Sequence, residues 1–239
     1  MSTRRHFLTI TAAALATPAL PRLGSAAGWP TDKTIRAVVP FSAGSTIDIL
    51  GRLVLDPMSR QLGQTIVIEN RGGAGGSIGS AQVAKAEPDG YTLLINAAAH
   101  SAAPAAYPNI TYDPAKDFAG VAMIGVVPNV FAVAPSSGIK TLQELAAKAK
   151  ASGTMTFSSA GVGSATHWAA ERFRLAAGFK ATHVPFRGGP EALTEVMTGR
   201  VDFCAIGIPS TLPLIKDGRL RPLAVSTPKR SAALPDVPT

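Results

Sequence analysis

The sequence predicts an α/β protein built from two domains with mostly parallel sheets. Three observations carry that prediction. Short β-branched runs alternate with amphipathic stretches of helical period, glycine-rich turns stand at the strand-to-helix junctions, and the composition is that of a globular chain. Of 239 residues, 46% are hydrophobic, 16% are charged and one is cysteine. Those values exclude a disordered chain, a coiled coil, a disulfide scaffold and a structural zinc site. The 23 Lys and Arg exceed the 15 Asp and Glu, giving a net charge of +8. No basic block is longer than a pair, so nucleic acid is not expected as a partner.

Residues 1–27 read as an export signal. Arg4-Arg5 form a basic start, an apolar run extends from Phe7 to Leu20, and Gly24-Ser25-Ala26-Ala27 suit a signal peptidase. The run is short for a bilayer span. An ordinary secretory signal would also fit, but Phe7-Leu8 behind the arginine pair favours a twin-arginine pattern. Arg4, Arg5 and Arg22 account for three of the eight excess charges, so the mature chain carries +5, spread diffusely. A soluble periplasmic product is expected. Cys204, with no partner in an oxidising compartment, reads as a small buried hydrophobe in the run Val201–Ile206.

The elements follow in order. Ile35–Pro40 reads as a strand leading through a glycine-containing turn to a helix over Ile47–Leu62. Thr65–Glu69 and Ser77–Ala86 repeat the unit, and Tyr91–Ile95 supplies another strand. The apolar stretch Val121–Val127, broken at Pro128, marks the boundary between domain 1 (28–127) and domain 2 (128–226). Beyond it, strands are predicted at Val130–Ala134, Thr154–Ser158, Thr182–Phe186, Val201–Ile206 and Pro222–Ser226. Helices are predicted over Leu142–Lys150, opened by a Thr141/Glu144 capping box, over Ala165–Ala177, and from a Gly189-Pro190 start to Met197.

Three glycine-rich turns are candidates for chemistry. Arg71–Gly79 has the look of a dinucleotide loop, but Gly73, Gly75 and Gly79 are wrongly spaced and the next strand ends near Asn96 rather than at an acid. Its glycines read as serving a tight turn and close helix packing, and no cofactor is expected. The turns Pro40–Asp48 and Ser158–His167 each offer N–H groups, small hydroxyls and a helix N-terminus, one per half. Facing each other across a cleft, they could grip a small carboxylate by charge-assisted N–H bonds.

The same residues carry a family resemblance. Val38-Val39-Pro40-Phe41 with Gly44 and Asp48, Glu69-Asn70-Arg71, Gly73-Ala74-Gly75-Gly76, Pro88-Asp89-Gly90-Tyr91, Gly161 with Gly163-Ser164 and His167, His183-Val184-Pro185-Phe186 and Leu234–Thr239 fall in one order. From Trp29 to Thr239 the chain resembles the substrate-binding receptors of tripartite tricarboxylate transporters. The resemblance implies a periplasmic binding protein of type II, two α/β domains closing on a small organic anion, monomeric, non-enzymatic, and serving membrane permease subunits. Carried over by position, it implies ligand contacts from Ala43, Gly44, Ser45 and Thr46, with Asp48 orienting the turn, and from Ser159, Gly161, Gly163, Ser164 and His167. Asn96, Arg187 and Asp202 are further candidates at the cleft rim, Arg187 reading equally as a solvated surface residue and Asp202 as a cap partner. Ser45 stands where the family has a second glycine, Ile47 where it has a small or hydroxylated residue, and Gly72 where it has proline.

No spacing of His, Asp or Glu suggests a metal. An exported hydrolase using Ser164 and His167 is the rival class, without a third group or a nucleophile elbow to support it. In the family the chain returns to the first domain after Leu234–Thr239. The resemblance therefore implies that 227–239 is a return segment and that domain 1 is incomplete, which leaves a truncated remnant without function as an alternative.

Overall fold

The computed structural model describes residues 28–239; the expected export signal over 1–27 lies outside the described residues. The first half contains β1 (Ile35–Val39), α1 (Thr46–Leu62), β2 (Ile66–Asn70), α2 (Ser77–Ala84), β3 (Thr92–Leu94) and α3 (Ala99–Ala106). The second contains β4 (Asn129–Val133), α4 (Leu142–Ser152), β5 (Met155–Ser159), α5 (Ala165–Ala177), β6 (Ala181–Pro185), α6 (Gly189–Met197), β7 (Phe203–Gly207), α7 (Ile208–Lys216) and β8 (Arg221–Val225).

Each half has its own sheet. In the first, β2, β1 and β3 lie in that order and all run parallel. In the second the order is β6-β5-β7-β4-β8, and β4 alone runs against both neighbours. The chain is therefore a mixed α/β fold with parallel-rich sheets, and β4 is the exception to the parallel pattern. Parallel neighbours require a crossover, and the helices between the strands supply it.

The core of the second half follows from strand alternation. Phe203 and Ala205 of β7 face one side, packing with Phe157, Phe131, Leu145 and Ala170 beneath α4 and α5. Cys204 and Ile206 face the other, packing with Leu193, Val196 and Leu220 beneath α6. Both faces of β7 are covered, which is why its whole length is buried. Burying a phenylalanine there is worth about 1.5–3 kcal/mol. Burial pushes the Cys204 thiol up to about 12, in keeping with a packing role.

Residues 227–239 pack on the second half: Leu234 and Val237 cover Val130, Ile208 and Val225, and the Val225 N–H donates to Pro238 O at 2.8 Å. Residues 121–127 form no strand, and Val121, Met123 and Val126 are all more than four-fifths exposed. The two halves meet through a small cluster in which Phe41 and Ala99 of the first half touch Ala160 of the second.

Candidate functional site

The turn before α1 and the turn before α5 are built by the same local rule. Ser45 caps α1, its Oγ accepting the Asp48 N–H at 3.3 Å, and Ser164 caps α5, its Oγ accepting the His167 N–H at 3.2 Å. In each, the side chain three residues past the cap reaches back to the N–H of the preceding glycine. Asp48 Oδ2 takes the Gly44 N–H at 2.9 Å, and His167 Nδ1 takes the Gly163 N–H at 3.3 Å. Gly44 and Gly163 share a φ of 75°, the left-handed conformation this geometry requires. The capping box expected at Thr141 has the same form, with Glu144 reaching to the Lys140 N–H instead of to the cap's own.

Electrostatics separate the two turns. Asp48 is buried, and burial alone would raise its carboxyl. Bonds from Arg52, Gly44 and Asn70 outweigh that and hold it below the ordinary carboxylate value. His167 is held below the ordinary histidine value by burial, against the pull of Glu171. It stacks on His183 with ring centroids 4.1 Å apart.

Between the halves lies a cleft of about 520 Å³, lined by Gly73–Gly75 and Tyr107 on one side and by Gly161, Val162, Pro185–Arg187 and Glu191 on the other. The hydroxyls of Ser42, Thr46 and Tyr107 bond across from half to half. Ser42 Oγ donates to Glu191 Oε2 at 2.8 Å, Thr46 Oγ1 lies 2.9 Å from Ser210 Oγ, and the Tyr107 hydroxyl donates to Val162 O at 3.0 Å. The backbones also come close, and a Cβ on Gly75 would collide with Val162 O.

The structure brings some of the sequence candidates together and separates others. Gly161 and the exposed Arg187 line the cleft, and Gly163, Ser164 and His167 stand directly behind that lining. Ala43, Gly44, Ser45 and Thr46 do not line it; their turn is pressed against α6 and α7 of the second half, with Asp48 anchoring it from inside. Ser159 is wholly buried, its hydroxyl 2.6 Å from His183 Nε2 and accepting the Gly161 N–H at 3.0 Å. Asn96 donates to Ser80 Oγ and accepts the Ala97 N–H, both within the first half. Asp202 is at the wrong end of its sheet for the cleft. It precedes β7 and takes the N–H and hydroxyl of Thr156, at the N-terminal end of β5, whereas the cleft lies past the C-terminal ends of β5 and β6.

Sequence reading missed Tyr107, Val162 and Glu191, and it dismissed the Gly73–Gly75 turn. Its glycines do permit close packing. What they pack against is the opposite turn, so they become cleft wall. Glu191 had a signal, since an acid in the first turn of a predicted helix is easily found, but its bond to Ser42 spans 149 residues. Ser164, the nucleophile of the rival hydrolase, donates to Gly161 O at 2.6 Å and caps α5, while the His167 Nδ1 lone pair is taken by Gly163.

Two α/β units meet at a cleft, with helix N-termini and glycine turns at the joint. The chain matches the tripartite tricarboxylate transporter family receptor over residues 50–239 and belongs to that family. A UPF0065 protein of Agrobacterium vitis is 38% identical over 221 residues, covering 92% of this chain and 64% of the relative. Among solved structures, an R. palustris protein with adipate is 36% identical with a TM-score of 0.85, covering 89% of this chain and 71% of the other. MatC of Rhodopseudomonas palustris with bound malate is 33% identical with a TM-score of 0.81, covering 86% and 71%. This chain thus spans a little under two thirds of the length of its first curated relatives.

Proposed function

We propose that this chain is an exported solute receptor that captures a small organic anion, a di- or tricarboxylate or related acid, and presents it to the permease subunits of a tripartite tricarboxylate-type transporter. One observation carries the reading: the α5 turn and Arg187 of one half and the glycine turn of the other face a single cleft of suitable size. Helix N-termini concentrate unpaired N–H donors and positive potential, and a carboxylate is their natural complement. Arg187 adds a charged donor at the same wall. The adipate and malate held by the two related structures agree in chemical class. Periplasmic residence rests on the family and on the leader-like residues 1–27.

The mechanism is conformational rather than chemical. A ligand in the cleft touches both halves and favours the closed arrangement only to the extent that it binds that arrangement more tightly. The Ser42–Glu191, Thr46–Ser210 and Tyr107–Val162 bonds are contacts such a closed state would keep. In this reading Gly161, Gly163, Ser164, His167, Ser159 and Arg187 form the anion wall. Ala43, Gly44, Ser45, Thr46 and Asp48 set the lobe-to-lobe fit, while Asn96 and Asp202 serve their own sheets. Calorimetry of the chain with adipate, malate and citrate at neutral pH tests it. We expect saturable binding of at least one acid, weakened about tenfold by Arg187→Ala, the loss of roughly one charge-assisted bond. Silence toward every acid would overturn the assignment.

A further inference from the structure

We propose that His183, which does not line the cleft, is a positioning residue for it, holding the Gly161–Ser164 turn in its anion-binding shape through Ser159 and in partnership with the stacked His167. The functional consequence rests on the carboxylate-receptor reading above; the geometry does not.

The chain of contacts is short and runs from half-buried histidines to the buried Ser159 and Gly161. His183 projects from β6, its ring stacked on both Phe157 at 4.9 Å and His167 at 4.1 Å, which also stack on each other at 6.2 Å. Its Nε2 lies 2.6 Å from the hydroxyl of Ser159, the last residue of β5. That hydroxyl accepts the Gly161 N–H at 3.0 Å. A serine has one proton to give. Given to His183 Nε2 rather than to Gly161 O at 3.2 Å, it leaves Gly161 O to the Ser164 hydroxyl at 2.6 Å. His167 completes the arrangement by accepting the Gly163 N–H. Two imidazoles thus set two successive glycines of one turn, and Gly161 and Val162 are the backbone it presents to the cleft.

His167 does this only with an unprotonated Nδ1, and His183 only as the neutral tautomer that carries its proton on Nδ1. An imidazolium has no ring lone pair, so a proton on His167 orphans the Gly163 N–H. A proton on His183 makes Nε2 a donor and turns the Ser159 proton toward Gly161 O, which Ser164 already occupies. Facing the pair, α5 contributes Glu171, itself paired with Arg174 at 2.7 Å, while β5 contributes only the uncharged Phe157 and Ser159. Burial, and then the neighbouring His167, push His183 down to about 4 against the opposing pull of Glu171. The turn is therefore intact at neutral pH and loosens in acid, and the cleft loosens with it.

The test uses the full chain and a readout that needs no ligand: amide exchange protection of Gly161 and Gly163 by NMR at pH 7 and pH 5, alongside adipate calorimetry. His183→Phe keeps the ring stack and removes both nitrogens. It should lower Gly161 protection about tenfold and weaken adipate similarly, one hydrogen bond's worth, while leaving the melting temperature within about 3 °C. Ser159→Ala, which spares the stack, should reproduce the loss and stands in should His183→Phe not fold. His183→Gln, which can again pair with Ser159, should restore protection without the fall between pH 7 and pH 5. Unchanged Gly161 protection in both His183→Phe and Ser159→Ala would overturn the proposal. If the unmodified chain binds no acid, the receptor reading fails while the protection data still decide this one.

Discussion

The turn before α1 and the turn before α5 share a glycine at φ 75°, a serine cap and a side chain three residues on that reaches back to the glycine N–H. They differ in that side chain. Asp48 places a buried carboxylate under the first turn, and Glu144 places an exposed one before α4; before α5 the position is His167, an imidazole. A carboxylate at a helix start neutralises the potential that would draw a ligand, whereas an imidazole makes the same hydrogen bond and leaves that potential unspent. The turn with the carboxylate is packed against the other half, and the turn with the imidazole borders the cleft. One structural device therefore serves as an anchor in the first half and borders the cleft in the second, and the two turns differ in the charge of a single residue.

The largest effect expected from breaking this contrast is at the anchor. Asp48→Ala removes the acceptor for Gly44, Arg52 and Asn70 and should cost about 2–3 kcal/mol in urea denaturation. Acid should reveal the same asymmetry. Asp48 is depressed on folding, so its stability contribution is present above its ordinary value of 3.8 and is lost as pH falls through its lower folded value. His183 is depressed from 6.5 to about 4, so its contribution is lost over that higher window. Melting temperature should begin to fall below about pH 6.5, and Asp48→Ala should abolish only the later loss.

A smaller effect follows from converting one turn into the other. His167→Asp puts a carboxylate beneath the anion wall and should weaken adipate about tenfold by calorimetry, with stability changed by no more than about 0.5 kcal/mol, because the Gly163 N–H keeps an acceptor. Undiminished affinity would show that the potential of α5 plays no part in binding. Smallest are the caps: Ser45→Ala and Ser164→Ala should each cost about 1 kcal/mol in thermal or chemical unfolding. Equal costs would confirm that the caps are interchangeable and that only the third residue distinguishes the turns.

Much of the fold was legible in the sequence. The α5 boundaries predicted from periodicity coincide with those observed, and α1 begins one residue early, because a serine cap and a closing glycine are local signals. Helices α3 and α7 were not anticipated. Pro104, Pro209 and Pro213 interrupt the period, and α3 is so rich in alanine that no apolar stripe stands out. Tertiary burial of Ala99, Ala103, Ile208 and Thr211 holds those helices in spite of that. The antiparallel course of β4 was equally hidden, since residue alternation is the same whichever way a strand runs.

The sequence by itself determined the strand-helix alternation, the caps, the family and the turn at Gly161–His167, because each is encoded within a few neighbouring residues. Only the tertiary structure decided which turn faces the cleft, that Gly75 meets Val162, that Glu191 answers Ser42, and that His183 reaches Ser159. Those relations join residues brought together by the packing of sheets and halves, and packing depends on shape and burial across the whole chain rather than on spacing along it.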